Sequence, residues 1–336
     1  MISISGVRGV IGEGLMPEVV LAFAQAYGTY CQGGRVVLGR DSRVSGPMLQ
    51  YAVTAGLMAV GCEVVDIGVA PTPTTKIAVE KLHAAGGLVI TASHNPVMWN
   101  GLKMLAGEGL FLDEEQGKQV LAIRDAGAAN LRNWDGLGKT AAYDKAIDDH
   151  LAAIYALPFI DIEKIRRARF RVVADCVNGA GGAILKKLLE HFGCDFVLLN
   201  DAPTGRFPHN PEPLPENLVD LCEAVKKHRA HLGLALDPDA DRLALISEKG
   251  MPLGEEYTLA LVAAFLLPKR KGKVVVNLST SMVIDDIAAK HSCTVERPKS
   301  ERFTWPNTCA MLPPSSAAKV MAASFCPKFI LAAMRW

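Results

Sequence analysis

Short apolar runs alternate along this chain with longer stretches in which apolar residues recur every three or four positions. The runs R-V-V-L-G-R (35–40), C-E-V-V-D-I (62–67), G-G-L-V-I (86–90), F-R-V-V-A-D (170–175), D-F-V-L-L (195–199) and L-G-L-A-L (232–236) predict buried strands. Helical spacing covers 15–31, 47–61, 75–82, 113–126, with Asp113 as N-cap, and 144–157; a further helix is expected from Asn217. Residues 104–112 read as a strand or hairpin and 136–142 as a polar connection. Repeated strand–helix order implies an α/β fold with a mainly parallel or mixed sheet and helices on both faces. A first domain is expected over 1–157 and a second over 158–249. A third begins at 250 with helix 257–267, strand 273–278, helix 281–290 and strand 293–296. At Pro298 the pattern breaks, and 298–336 shows no clear period.

Composition narrows the class. A chain of 336 residues, half of them apolar, can bury cores for two or three domains. A net charge of +1 gives no reason to invoke nucleic acid or an anionic membrane. Eight cysteines without a C-x-x-C pair suit free thiols in a reducing compartment. No signal-peptide pattern and no apolar stretch of ~20 residues is present, so a cytoplasmic location is expected.

Chemistry concentrates in two stretches. T-A-S-H-N-P-V-M-W-N-G-L-K (91–103) follows the buried run 86–90, and Pro96 ends that strand. Ser93 and His94 then lie just past a strand end, where open α/β sheets place ligands. A hydroxyl with an imidazole and the Lys103 ammonium suits phosphoryl chemistry, although Ser-His-Asn-Pro is also a plausible polar turn. The second stretch, D-P-D-A-D-R (237–242), sets three carboxylates at alternate positions, which calls for a hard cation between them. Counting from Asp237 mimics a calcium loop through Glu248, but position six is Arg242 where that loop needs glycine.

T-A-S-H-N-P with N-G-x-K resembles the phosphoserine loop of the α-D-phosphohexomutases. S-G-V-R-G (5–9), G-R-D-S-R-V-S-G (39–46), D-C-V-N-G-A-G (175–181) and N-P-E-P (210–213) resemble further elements of that family, in its order. D-P-D-A-D-R resembles its metal loop, where the family usually has glycine at the positions of Pro238 and Ala240. The resemblance implies that Ser93 carries a phosphoryl group, assisted by His94, Lys103 and Arg8. It implies Mg²⁺ on Asp237, Asp239, Asp241 and a phosphoserine oxygen, with Arg242 supporting phosphate. Asp41 and the neighbouring arginines are expected to pair beneath the loop, and Asn178 and Gly179 to give structural support. The implied activity interconverts hexose 6-phosphate and hexose 1-phosphate through a hexose 1,6-bisphosphate intermediate. Its partners are small hexose phosphates.

The implied fold is a series of mixed-sheet α/β domains of the phosphohexomutase type, with the third incomplete and the fourth absent. The family's sugar loop and phosphate-binding domain have no counterpart after Pro298. If one base was lost at codon 298, codons for 299–336 can be reread in a shifted frame that contains G-E-G-N-G-G where the sugar loop belongs. An out-of-frame tail over 298–336 is therefore expected, with a natural short variant as the alternative. A chain of this kind is expected to turn over little substrate. The alternative function is a non-catalytic remnant that keeps only the phosphoserine and metal loops.

Overall fold

The structure, a computed structural model, describes residues 2–3, 6–276, 278 and 280–297. The shifted-frame expectation for 298–336 lies outside the described residues.

A seven-stranded sheet organises the first unit. Its strands are β1 (Ile2–Ser3), β2 (Gly6–Val10), β3 (Arg35–Arg40), β4 (Glu63–Val69), β5 (Gly86–Ile90), β6 (Trp99–Ala106) and β7 (Lys139–Ala142). The spatial order is β1-β2-β6-β5-β3-β4-β7. Strands β5, β3, β4 and β7 run parallel, while β6, β2 and β1 each run antiparallel to their neighbour. The sheet is therefore mixed. Helices α1 (Pro17–Tyr30), α2 (Gly46–Ala59), α3 (Thr72–Lys81), α4 (Glu114–Asp125) and α5 (Ala146–Tyr155) accompany it. Two cores on this unit hold Phe23, Tyr27, Leu57 and Ile90, and Val37, Val65, Val79 and Val89. Asp113 does cap α4, accepting from the Gln116 amide in a reciprocal capping box.

Two segments differ from expectation. The strand predicted from 104 begins at Trp99, so Lys103 is a strand residue and not part of the loop. Strand β6 sits between β2 and β5 with nearly every residue buried, which removes the apolar–polar alternation that would have marked its start. The connection 136–142 contains an edge strand, β7; K-T-A-A is exposed throughout and has no apolar face to announce it.

Helices α5 and α6 (Ile162–Ala168) lead to the second unit, a sheet of order β11-β10-β8-β9. Its strands are β8 (Arg171–Asp175), β9 (Asp195–Leu199), β10 (Leu232–Leu236) and β11 (Leu243–Ser247), with α7 (Gly182–His191) and α8 (Val219–Lys227). Leu151 and Ile154 of α5 pack into this second core beside Leu188 and Leu234, whereas Ala146 of the same helix packs into the first. Strands β10 and β11 form an antiparallel hairpin whose turn is the 237–242 stretch. Beyond it, α9 (Glu255–Leu266), β12 (Val274–Val275), α10 (Val283–Lys290) and β13 (Val295–Glu296) share a small core around Ala260, Ile284 and Ala288. Among the described residues no helix is long and apolar enough to cross a membrane.

Candidate active site

The β5–β6 loop and the β10–β11 turn meet face to face. Ser93 follows β5 with φ 53, a left-handed conformation that costs a non-glycine residue ~1–2 kcal/mol. Such strain persists where the surroundings over-determine it. Here they do so from both sides. The Ser93 amide donates to Thr91 Oγ1 at 2.8 Å, and the Ser93 carbonyl accepts from Arg43 Nη2 at 2.6 Å. Arg43 is fully buried and also donates to the carbonyls of Asn95 (2.6 Å), Pro96 (2.7 Å) and Trp99 (2.9 Å). Its charge is met by Asp41 at 3.1 Å, which accepts as well from Thr91 Oγ1 at 2.6 Å. Burial opposes both charges of the pair, raising the Asp41 pKa and lowering that of Arg43. The expected pairing of Asp41 with an arginine beneath the loop is thus present, and Arg43 proves to be the residue that shapes the loop. Gly101 is needed where β6 passes β2, since a Cβ there would sit 2.4 Å from the Val7 carbonyl oxygen.

The Ser93 hydroxyl donates to Asp237 Oδ2 at 2.9 Å, across the boundary between the two units. Asp237, Asp239 and Asp241 offer ligand atoms all within 4.8 Å of one another. The turn that holds them is tied down by the Asp241 and Arg242 amides, which both donate to Asp237 Oδ1 at 3.1 Å. Ala240 has φ 51, so the departure from glycine noted at this position carries a strain that glycine would avoid. Gly179 lies directly beneath the turn, where a Cβ would meet the Pro238 carbonyl oxygen at 2.7 Å.

Among the described residues, Lys103 is the ammonium in direct contact with this cluster. Lys103 Nζ lies 2.6 Å from Asp239 Oδ2 and 2.7 Å from Asp241 Oδ2, which raises its own pKa despite burial. Lys103 therefore acts from β6 on the carboxylates. Asp239 is buried, but Lys103 and the Thr72 hydroxyl hold its pKa down to about 2. Asp237 lacks that ammonium contact. Burial, with Asp239 and Asp241 beside it, drives its pKa well above the usual carboxylate range. Asp239 Oδ1 is buried without a hydrogen-bond partner. An orphaned carboxylate oxygen beside two further carboxylates is the donor set a hard divalent cation requires, so these residues fit Mg²⁺.

His94 and Arg242 line the opposite side. His94 Nδ1 lies 3.4 Å from Ser93 Oγ, and its Nε2 lies 3.7 Å from Glu212 Oε1. Burial lowers the His94 pKa, and nearby Arg242 and Arg8 push the same way. Arg242 Nη1 pairs with Glu212 Oε1 at 3.3 Å. Arg8 sits on β2, in register with Gly101 of β6. The structure thus gathers every sequence-predicted site residue around Ser93. Three contributors were missed: Thr72, whose amide and hydroxyl both donate to Asp239, Glu212, and Lys76. Lys76 Nζ lies 4.0 Å over the Phe111 ring, and burial lowers its pKa to about 8. N-P-E-P held the signal for Glu212, and Thr72 stands in P-T-P-T (71–74) at the start of α3; Lys76 had none.

The family descriptions "Phosphoglucomutase/phosphomannomutase, alpha/beta/alpha domain I" and "domain II" match residues 3–130 and 148–250. The chain is 41% identical over 299 residues to a probable phosphoglucosamine mutase of Methanopyrus kandleri, covering 88% of this chain and 64% of that protein. It is 41% identical over 301 residues to a phosphoglucomutase/phosphomannomutase of Thermococcus kodakarensis, covering 88% of this chain and 65% of the relative. Among solved structures, a putative phosphomannomutase from Thermus thermophilus superposes with a TM-score of 0.80 at 27% identity, covering 89% of this chain and 69% of that one. A phosphoglucomutase/phosphomannomutase family protein from Burkholderia thailandensis gives 0.75 at 27% identity, covering 89% and 67%. The chain therefore spans just under two thirds of the length of those two sequence relatives, and over both alpha/beta/alpha domains it belongs to the phosphoglucomutase/phosphomannomutase family.

Proposed function

We propose that Ser93 accepts and returns a phosphoryl group in the interconversion of hexose 6-phosphate and hexose 1-phosphate. Phosphoglucosamine, phosphomannose and phosphoglucose are the sugar classes in view, with a hexose 1,6-bisphosphate as intermediate. The observation that carries this reading is the Ser93 hydroxyl, held in a strained conformation 2.9 Å from a carboxylate cluster suited to a divalent cation. In the acceptor step the phosphorus–oxygen bond of the bisphosphate breaks as a Ser93 Oγ–phosphorus bond forms; the hydroxyl proton leaves Oγ, and the released sugar oxygen takes up a proton to become a hydroxyl. His94 is the base in this reading: its lowered pKa favours the neutral imidazole and its Nδ1 lies 3.4 Å from Oγ, so the hydroxyl turns its proton from Asp237 Oδ2 to His94 as it attacks. Arg8 and Arg242 supply positive charge beside the oxygens of the transferring group. Asp237, Asp239 and Asp241 would hold Mg²⁺, which when bound supplies charge stabilisation to a phosphoryl oxygen. Lys103 favours the ionised form of Asp239 and holds Asp241 in place through its ion pair. Exposure of the full chain to glucose 1,6-bisphosphate, followed by a coupled assay for hexose-phosphate isomerisation, tests the activity; complete absence of turnover would favour a chain confined to phosphoserine and metal binding.

The metal reading has its own test in pH dependence. Asp237 has a folded pKa raised above its unfolded value of ~3.9, so the metal-free fold holds that proton more tightly than the unfolded chain does. Its stabilising contribution is present below ~3.9 and is lost as pH rises through the raised value. A bound cation requires the carboxylate, so Mg²⁺ competes with this proton. The thermal shift caused by Mg²⁺ should grow as pH rises through that raised value, and Asp239→Asn should shrink it throughout. A shift that stays constant across the pH series, or one unaltered in Asp239→Asn, would count against the assignment.

A further inference from the structure

Glu212 sets a carboxylate directly against the cations on the His94 side of the site. Its Oε1 contacts Arg242 Nη1 at 3.3 Å and lies 3.7 Å from His94 Nε2, while Arg8 is close enough to depress the His94 pKa. What fixes Glu212 there is its loop, independently of those cations. The Glu212 amide donates to Asn210 Oδ1 at 3.3 Å, and its carbonyl accepts from Asn217 Nδ2 at 2.9 Å. The loop is anchored further back, where His209 Nε2 meets the buried Asp175 at 2.9 Å and Asn178 Nδ2 donates to the Arg206 carbonyl at 2.8 Å. Phe207, on the same loop, lies 5.0 Å beneath the Arg43 guanidinium that shapes the serine loop. A backbone held at so many points presents the carboxylate whether or not a cation answers it.

A carboxylate resembles a phosphate in charge and in its planar pair of acceptor oxygens, and a guanidinium binds either in the same fork geometry. We infer that Glu212 is a placeholder for phosphate: in the unphosphorylated chain it occupies Arg242 beside His94, and it yields that guanidinium when a phosphate arrives next to Ser93. It rests on the reading of Ser93, His94 and Arg242 as a phosphate site. Two consequences follow from the charges. Without phosphate, Glu212 keeps Arg242 from swinging onto the Asp237–Asp239–Asp241 cluster. With phosphate, Glu212 must give up its ion pair, so it weakens phosphate binding and eases product release. Glu212 touches neither reacting atom and is a positioning residue.

Binding of inorganic phosphate to the full-length chain, followed by titration calorimetry, reads this directly. Glu212→Gln keeps the size and the backbone anchors but removes the charge that competes for Arg242. Half-exposed ion pairs of this kind are modest, so phosphate should bind roughly five-fold tighter to Glu212→Gln than to the natural chain. In an Arg242→Gln background the same Glu212→Gln change should have no further effect, because the guanidinium contested by Glu212 is gone. Unchanged or weaker binding in Glu212→Gln would overturn the inference, as would tighter binding that persists without Arg242, which marks a general charge effect. Absence of phosphate binding to any of the chains would overturn it too. Failure of the serine reading looks different: intact mass would show no phosphate gain on Ser93 while Glu212→Gln still tightened phosphate binding.

Discussion

Replacing Lys103 with methionine is expected to destabilise the metal-free protein by about 3–5 kcal/mol, the usual cost of stranding a buried charge. The ammonium contacts Asp239 at 2.6 Å and Asp241 at 2.7 Å, and Asp239 is fully buried. Asp241 is partly exposed and can turn to water, so most of the effect falls on Asp239. Without Lys103, three carboxylates within 4.8 Å of one another would have no cation in direct contact. Protonation of the cluster limits the loss, which is why the figure stays well below a bare Coulomb estimate. The contact is also one of several that join the first unit to the β10–β11 turn of the second, beside those of Ser93 and Thr72, so the variant should loosen that junction without separating the units. Mg²⁺ supplies the missing positive charge and should recover part of the stability. Urea denaturation of both proteins in EDTA and in Mg²⁺ measures this. Equal midpoints in EDTA would show that Lys103 is not the counter-charge of the cluster.

Arg43→Met should be comparably damaging, about 3–5 kcal/mol, and its consequence is local to the serine loop. The variant leaves Asp41 buried beside Thr91 and strips donors from the carbonyls of Ser93, Asn95, Pro96 and Trp99. Of these residues Ser93 is buried, Asn95 and Trp99 are half-buried and Pro96 is exposed, so the loss concentrates on the Ser93 carbonyl and on Asp41. Arg43→Lys restores the charge without the planar fork, so it should fall between the natural chain and Arg43→Met. Thermal denaturation ranks the three proteins, and amide exchange over 91–99 reports the loop itself. Loop amides that exchange as slowly in Arg43→Met as in the natural chain would mean the left-handed turn at Ser93 is held by other contacts.

These two residues show where the sequence was readable. Ser93, His94 and the aspartates stand in unbroken stretches whose residue types and spacing state their chemistry, so the loop and the metal cluster were legible. The partners that make them work were not. Lys103 meets Asp239 across 136 positions of chain, and Thr72 reaches the same carboxylate across 167. No local pattern encodes a contact of that span. Arg43 was visible as one arginine of a turn, but four carbonyl acceptors lie in a loop some fifty residues away. Glu212 was seen only as part of N-P-E-P, since its meaning depends on Arg242 arriving from another element. The parallel core strands were read well because apolar runs bounded by glycine and polar turns are local signals. Strand β6 lost its first five residues because a strand buried on both faces, with Asn100 and Lys103 turned inward, has no alternation to count.

The central claim is that Ser93 takes a phosphoryl group at a site completed by the aspartate cluster. Site-resolved mass spectrometry of the full chain after incubation with glucose 1,6-bisphosphate, with Mg²⁺ or with EDTA and with Ser93→Ala alongside, tests it most directly. The account predicts one phosphate, on the peptide containing Ser93, formed with Mg²⁺, strongly reduced in EDTA and absent from Ser93→Ala. Phosphate located on another residue, or an equal gain in Ser93→Ala, would contradict it.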